Sequence, residues 1–280
     1  SMIQPPKEPS SVDITMREYI FILDVSGSMS GFPIETSKSL VSQIVSNLNS
    51  YDKFNIICFA GGSSFLFDAS KPATTENIKT ALTFINSLAG SGGTELLPAL
   101  QKALQYPADE QYSRIFLIAT DGYVTVEKEA FDLIRNSLDK ANFFAFGIGT
   151  TVNRFLIEGM AHAGQGEPFV VLSQDEAAEK AELFRHYVSS PVFTNISASF
   201  NNISVFDIEP VTIPDVFAER PILIYGKWNE PLQGSLTLGG ITGTNSNFSK
   251  TLNFNNFVPS EKNKALRYLW ARQRLQLLSD

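Results

Sequence analysis

Between Arg17 and Val188 the chain alternates between two hydrophobic periods. Runs that are apolar throughout occupy 17–24, 53–60, 113–120, 142–148 and 167–172. Between them, 33–48, 74–88, 95–105, 127–139, 153–163 and 174–188 repeat apolar residues every three to four positions. Short runs with no polar face suit strands buried on both sides, and the amphipathic segments supply the helices that bury them. Ser64–Asp68 follows the second run after a short turn and reads as its hairpin partner, an antiparallel edge strand. The expected fold is therefore α/β, a doubly wound, mostly parallel sheet.

The pattern changes after Ser189-Ser190-Pro191. Short alternating runs (Phe193–Phe200, Ser204–Ile208, Pro221–Trp228, Ser235–Leu238 and Phe248–Phe254) are split by Gly, Pro and Asn clusters, with no helical period. They predict a smaller antiparallel β region of about five strands. A final amphipathic helix, Glu261 to Leu278, places Leu266, Leu269, Trp270 and Leu277 on one face, which is expected to dock on its own protein. Residues 1–15, with Pro5, Pro6 and Pro9, read as an extended lead-in, and Ser1-Met2 as an expression scar ahead of a fragment. The expected organisation is a lead-in over 1–15, an α/β domain over 16–190, and the β region with its C-terminal helix over 191–280.

Composition narrows the function classes. With 280 residues and 43% apolar content the chain is long enough for substantial cores. A net charge of −7, without a basic cluster interleaved with aromatics, argues against nucleic acid. No apolar run approaches the ~20 residues of a membrane span, and no charged and apolar leader is present. The single cysteine, Cys58, lies inside Phe54–Phe59 and reads as a core residue, which leaves both cytosol and export open.

Three pieces of sequence carry chemistry. Asp24-Val25-Ser26-Gly27-Ser28 follows directly on the first apolar run, and Asp121 ends the run Ile115–Thr120. Gly90-Ser91-Gly92-Gly93-Thr94 is a flexible loop that brings a hydroxyl to a helix start. In open α/β sheets ligands bind beyond the carboxyl ends of the strands, where the winding reverses. If the two Asp-bearing strands are neighbours there, Asp24, Ser26, Ser28, Thr94 and Asp121 converge as hard oxygen donors suited to Mg²⁺, Mn²⁺ or Ca²⁺. Alone, Asp-x-Ser-x-Ser also fits a helix cap, Asp-Gly a turn, and the glycine loop a linker. The order and the placement of both aspartates at strand ends favour the cation.

These stretches resemble the metal-ion-dependent adhesion site of von Willebrand factor A domains: Asp24-Val25-Ser26-Gly27-Ser28-Met29, Gly92-Gly93-Thr94 and Thr120-Asp121-Gly122 match its ligand positions without substitution. The resemblance covers about 17–188 and implies strand order 3-2-1-4-5-6, with first and fourth strands adjacent. Arg17–Phe21 after Pro5-Pro6, Phe146–Gly149 with Val152-Asn153-Arg154, and Leu266–Arg272 are similar to inter-alpha-trypsin inhibitor heavy chains and their bacterial relatives. That likeness implies a fragment of a larger protein with a preceding VIT domain, an extracellular, periplasmic or cell-surface location, and a bacterial source.

The implied function is divalent-cation-dependent protein binding, in which a partner's Asp or Glu carboxylate completes the coordination. Two alternatives stand beside it: a structural or assembly module whose metal stiffens loops, and a metal-dependent hydrolase. The hydrolase needs a base or nucleophile near the metal. His162 and His186 form no metalloprotease pattern, Glu95 reads as a first-turn helix residue, and neither a nucleophile elbow nor a phosphate loop occurs, so no enzyme is expected. Three Asn-x-Ser sequons (Asn195, Asn202, Asn247) fall in the β region; in a eukaryotic secreted protein they are glycosylation acceptors, and chance in an Asn/Ser-rich segment is the alternative that a bacterial source favours.

Overall fold

The computed structural model describes all of 1–280 except residues 11, 12, 123, 125, 126, 230, 231, 244, 256, 258, 259 and 280. It forms two compact units, Met16–Ser189 and Ser1–Thr15 together with Ser190–Asp280.

In the first unit the strands are β1 (Met16–Asp24), β2 (Lys53–Phe59), β3 (Ser63–Phe65), β4 (Tyr112–Thr120), β5 (Asn142–Ile148) and β6 (Phe169–Val171). The helices are α1 (Phe32–Ser46), α2 (Thr75–Ser87), α3 (Leu96–Gln105), α4 (Glu127–Arg135), α5 (Arg154–Ala163) and α6 (Gln174–Tyr187). The sheet order is β3-β2-β1-β4-β5-β6, as the family resemblance implied. Among the described residues, only β3 and the two-residue strand Lys71–Pro72 run antiparallel in this sheet, both against β2. Eight of the nine residues of β1 are buried, as a strand covered on both faces requires.

Side chains alternate across the sheet. Ile20, Ile22, Ile57, Phe116 and Ile118 face one way, into a cluster with Leu100 of α3, Phe131 of α4 and Leu156 of α5. On the other face Phe144 and Phe146 meet Phe184 of α6 edge-to-face at 5.2 and 5.4 Å. The register aligns Leu23 with Ala119, so the carboxyl ends of β1 and β4 lie side by side. The chain winds outward from β1 to β2 and β3 on one side, and through β4, β5 and β6 on the other. The crevice between β1 and β4 is thus the point where the winding reverses.

The second unit has β7 (Pro191–Asn201), β8 (Val205–Glu209), β9 (Val216–Phe217), β10 (Ile222–Leu223), β11 (Tyr225–Trp228), β12 (Ser235–Thr242) and β13 (Asn247–Asn253), ending in α7 (Ala265–Ser279). The sheet β9-β7-β12-β13 is antiparallel, and β8 pairs with β11. Val192, Ile196, Ile213, Val216, Ile224 and Leu236 form its core. The expected lead-in belongs to this unit: Met2–Ile3 pairs with β10, the Ser1 ammonium donates to the Ile224 carbonyl at 2.7 Å, and Thr15 N–H donates to Pro191 at 2.8 Å.

The terminal helix departs from its expected packing. Leu266 and Leu269 are 53% and 43% exposed, and nothing is described of the Leu277 side chain. Of the expected face Trp270 does dock, its indole N–H donating to the Asp207 carbonyl at 3.0 Å, and Arg274 joins it by bonding Glu209 at 2.6 Å. Lys227 lies 3.8 Å from the Trp270 ring centroid. Polar and cation–π contacts to β8 and β11 therefore set the docked face, and the leucine periodicity does not.

Candidate metal centre

At the end of β1 both Asp24 oxygens are oriented by the protein. One accepts the Ser26 backbone N–H at 2.9 Å, and the other accepts the Thr120 hydroxyl from the neighbouring strand at 2.6 Å. A carboxylate offers about four lone-pair sites, so each oxygen retains acceptor capacity. The Ser26 and Ser28 hydroxyls are 3.1 Å apart, Ser26 buried and Ser28 exposed. Ser26 precedes the short 3-10 turn Gly27–Met29 but makes no side-chain cap bond, and α1 is entered through Gly31, likewise without one. The serine hydroxyls are therefore not helix caps, which removes the plainest competing explanation of the motif.

The glycine-rich loop is fastened to this segment through its backbone. Gly27 N–H donates to Gly92 O at 3.0 Å, Ser91 N–H to Val25 O at 2.8 Å, and Glu95 N–H to Ala60 O at 2.8 Å. Gly92 adopts φ +82°, and a Cβ on Gly90 would lie 2.7 Å from Ser30 N, so glycine is required for the two loops to approach. These bonds fix the stretch that carries Thr94, itself half-buried.

Asp121 follows β4 and is 3% exposed. Its backbone carbonyl accepts from Asn153 N–H at 3.0 Å. The Asn153 amide donates to Gly122 O at 3.1 Å and to Glu127 at 2.8 Å, while its oxygen caps α5 by accepting Leu156 N–H at 3.2 Å. Gly122 N–H donates to the Thr120 hydroxyl at 3.0 Å, so Thr120 links the two aspartate-bearing ends. Thr120 and Asn153 were not singled out as site residues from sequence; a hydroxyl before Asp-Gly and an Asn ahead of a helix are the available signals.

Burial pushes the Asp24 carboxyl above its ordinary range, hydrogen bonds from Ser26 and Thr120 pull it back, and the Asp121 charge pushes it up again. The buried Asp24 thus feels the charge of Asp121, and it has no Lys or Arg partner among the described residues. A divalent cation relieves both costs. Among the described residues no three His, Cys, Asp or Glu cluster, so such an ion would rest on two carboxylates and neutral hydroxyls. The enzyme candidates do not supplement this set: His162 and His186 are exposed in the last turns of α5 and α6, and Glu95 is exposed at the start of α3.

A family model described as von Willebrand factor type A domain matches residues 17–168. The chain belongs to that family. Its A domain resembles a von Willebrand factor A domain-containing protein of Dictyostelium discoideum, 31% identical across 85% of this chain and 25% of the relative. The inter-alpha-trypsin inhibitor heavy chain H2 of Sus scrofa is 25% identical over 82% of this chain and 26% of the relative. The chain thus spans about a quarter of the length of these curated relatives. Among solved structures, the ArnB paralog VWA2 of Sulfolobus acidocaldarius shares the fold across 99% of this chain and 74% of its own (TM-score 0.63, 16% identity). Manganese-loaded TRAP protein of Plasmodium vivax aligns over 90% and 95% (TM-score 0.50, 13% identity). Proximal thread matrix protein 1 of the mussel byssus, with zinc in its MIDAS motif, aligns over 66% and 50% (TM-score 0.50, 17% identity). Domains of this family are mostly non-enzymatic interaction modules. No helix among the described residues is long and apolar enough to cross a membrane.

Proposed function

We propose that the A domain binds a protein ligand through a divalent cation, Mg²⁺ or equally Mn²⁺ or Ca²⁺, held by Asp24, Ser26, Ser28, Thr94 and Asp121. The observation that carries this reading is the buried Asp24, oriented by Ser26 and Thr120, repelled by Asp121, and lacking a basic partner among the described residues. Mg²⁺ takes about six oxygens at ~2.1 Å and usually keeps some waters. Two carboxylates and three hydroxyls leave a position for an Asp or Glu of the ligand, and the ion stays electrophilic because few anions surround it. The manganese-loaded TRAP structure and the zinc in the MIDAS motif of thread matrix protein 1 support a divalent cation in this domain. The likeness to an inter-alpha-trypsin inhibitor heavy chain supports an extracellular, periplasmic or surface setting within a larger protein carrying a VIT domain.

Mn²⁺ itself is the probe. Calorimetry on the full chain is expected to give one site, lost in Asp121→Ala, and water-proton relaxation should report an exchangeable water on the bound ion that a glutamate-bearing peptide displaces. A bound ion with no exchangeable water would favour the structural reading, in which the metal only stiffens the loops. Absence of Mn²⁺ binding would overturn both.

A further inference from the structure

A cavity of about 240 Å³ opens at the amino-terminal edge of the A-domain sheet, the end of β1 away from Asp24. Arg17 and Tyr19 of β1 line it with residues from the α1–β2 connection and the last turns of α6. A single water needs only ~10–15 Å³, so the space admits an ion carrying several carbon atoms.

The charged acceptors around it already hold donors. Asp52 takes Arg17 Nε and Nη2, both at 3.0 Å, and the Asn49 backbone N–H at 2.9 Å. Glu182 takes Arg185 at 2.6 Å, and the Ser189 carbonyl takes Arg17 Nη1 at 2.7 Å. The helix ends are capped within their own turns: Asn47 N–H bonds Ile44 O, and Ser189 bonds His186 O.

The donors are not used. Tyr19 is 3% exposed, yet its hydroxyl has no hydrogen-bond partner among the described residues. Arg185 spends one N–H of its five on Glu182, and the exposed His186 ring bonds nothing among the described residues. The Tyr19 hydroxyl is not sealed in the interior but open to the cavity, where an acceptor arriving from solvent can take the place of water. Burial raises the Tyr19 phenol well above its ordinary range, which keeps its proton in place as a donor.

We infer that this cavity binds a small organic oxyanion, a carboxylate or a phosphate ester, with the Tyr19 hydroxyl and the Arg185 guanidinium as its main donors. The site is independent of the metal centre, and a charged acceptor is what an array of surplus donors recognises.

The test is calorimetric titration of the full chain with succinate and, separately, glycerol phosphate, in metal-free Tris buffer. One saturable site with Kd below ~10 mM is expected for at least one of the two, and the preferred probe distinguishes carboxylate from phosphate. Tyr19→Phe removes no protein hydrogen bond, so the variant folds, and it should weaken binding about five- to tenfold. Arg185→Gln should weaken it by about tenfold or more, whereas Asp121→Ala should leave it unchanged. No saturable heat from either probe, or affinities unaltered in both Tyr19→Phe and Arg185→Gln, would overturn the inference.

Discussion

Thr120 shows how much one side chain settles at this site. Its hydroxyl donates to Asp24 and accepts from Gly122, so it orients one carboxylate and steadies the turn that carries the other. Thr120→Val keeps the shape, removes both bonds and leaves a buried N–H unpaired, a loss of about 1–3 kcal/mol. Calorimetry should therefore find Mn²⁺ affinity reduced about tenfold or more, with Thr120→Ser recovering most of it; unchanged affinity in the valine variant would remove Thr120 from the site. Cys58 offers a separate check on the core. Burial pushes its thiol up to about 12, from an ordinary 9.0. The native protein at pH 8 should resist thiol reagents until it unfolds, and fast labelling of the native state would contradict the burial. The sign for stability follows: the contribution is whole below 9.0 and is lost as pH rises towards about 12, because the unfolded thiol ionises first.

At the scale of elements, the beginning of β1 is anchored on both faces. Arg17 pairs with Asp52, and the next residue, Glu18, pairs with Arg114 at 2.8 Å, because consecutive strand residues point to opposite sides. Both pairs are buried, with side-chain exposures of 5% and 1%, and 6% and 4%. Arg17→Leu strands the Asp52 carboxylate in the interior and should cost about 3–5 kcal/mol in urea unfolding. Lys38→Ala, which breaks the exposed α1 pair with Glu35, should cost below about 0.5 kcal/mol. Similar costs for the two would refute the distinction. The same sequence stretch was legible only as a strand: Arg17 and Glu18 are charged residues inside an apolar run, and periodicity cannot name partners 35 and 96 positions away. Asn153 had the same fate, since its cap is local but its hold on Gly122 depends on β4 lying beside β5.

For the whole molecule, the division into units does not follow chain order, because residues 1–15 complete the unit formed by 190–280. A chain lacking residues 1–15 should lose hydrogen-exchange protection at Ile222–Ile224 while β1, β2 and β4 stay protected. Retained protection in β10, or a collapse of protection in β4, would show that the units are organised otherwise. A two-residue strand such as Met2–Ile3 has no period to read, so its pairing lay beyond sequence.

Sequence by itself determined the layered α/β architecture, the strand order through a family likeness, and the two aspartates at strand ends. Fully apolar runs and helical periods are local consequences of burial, and so they are written into local sequence. Tertiary structure alone decided what those groups meet. It set Thr120 across from Asp24, freed the serines from capping, left Leu266 exposed beside the docked Trp270, and left the Tyr19 hydroxyl facing a cavity without a partner among the described residues. Each depends on a neighbour distant in sequence, and such contacts exist only once the sheet has closed.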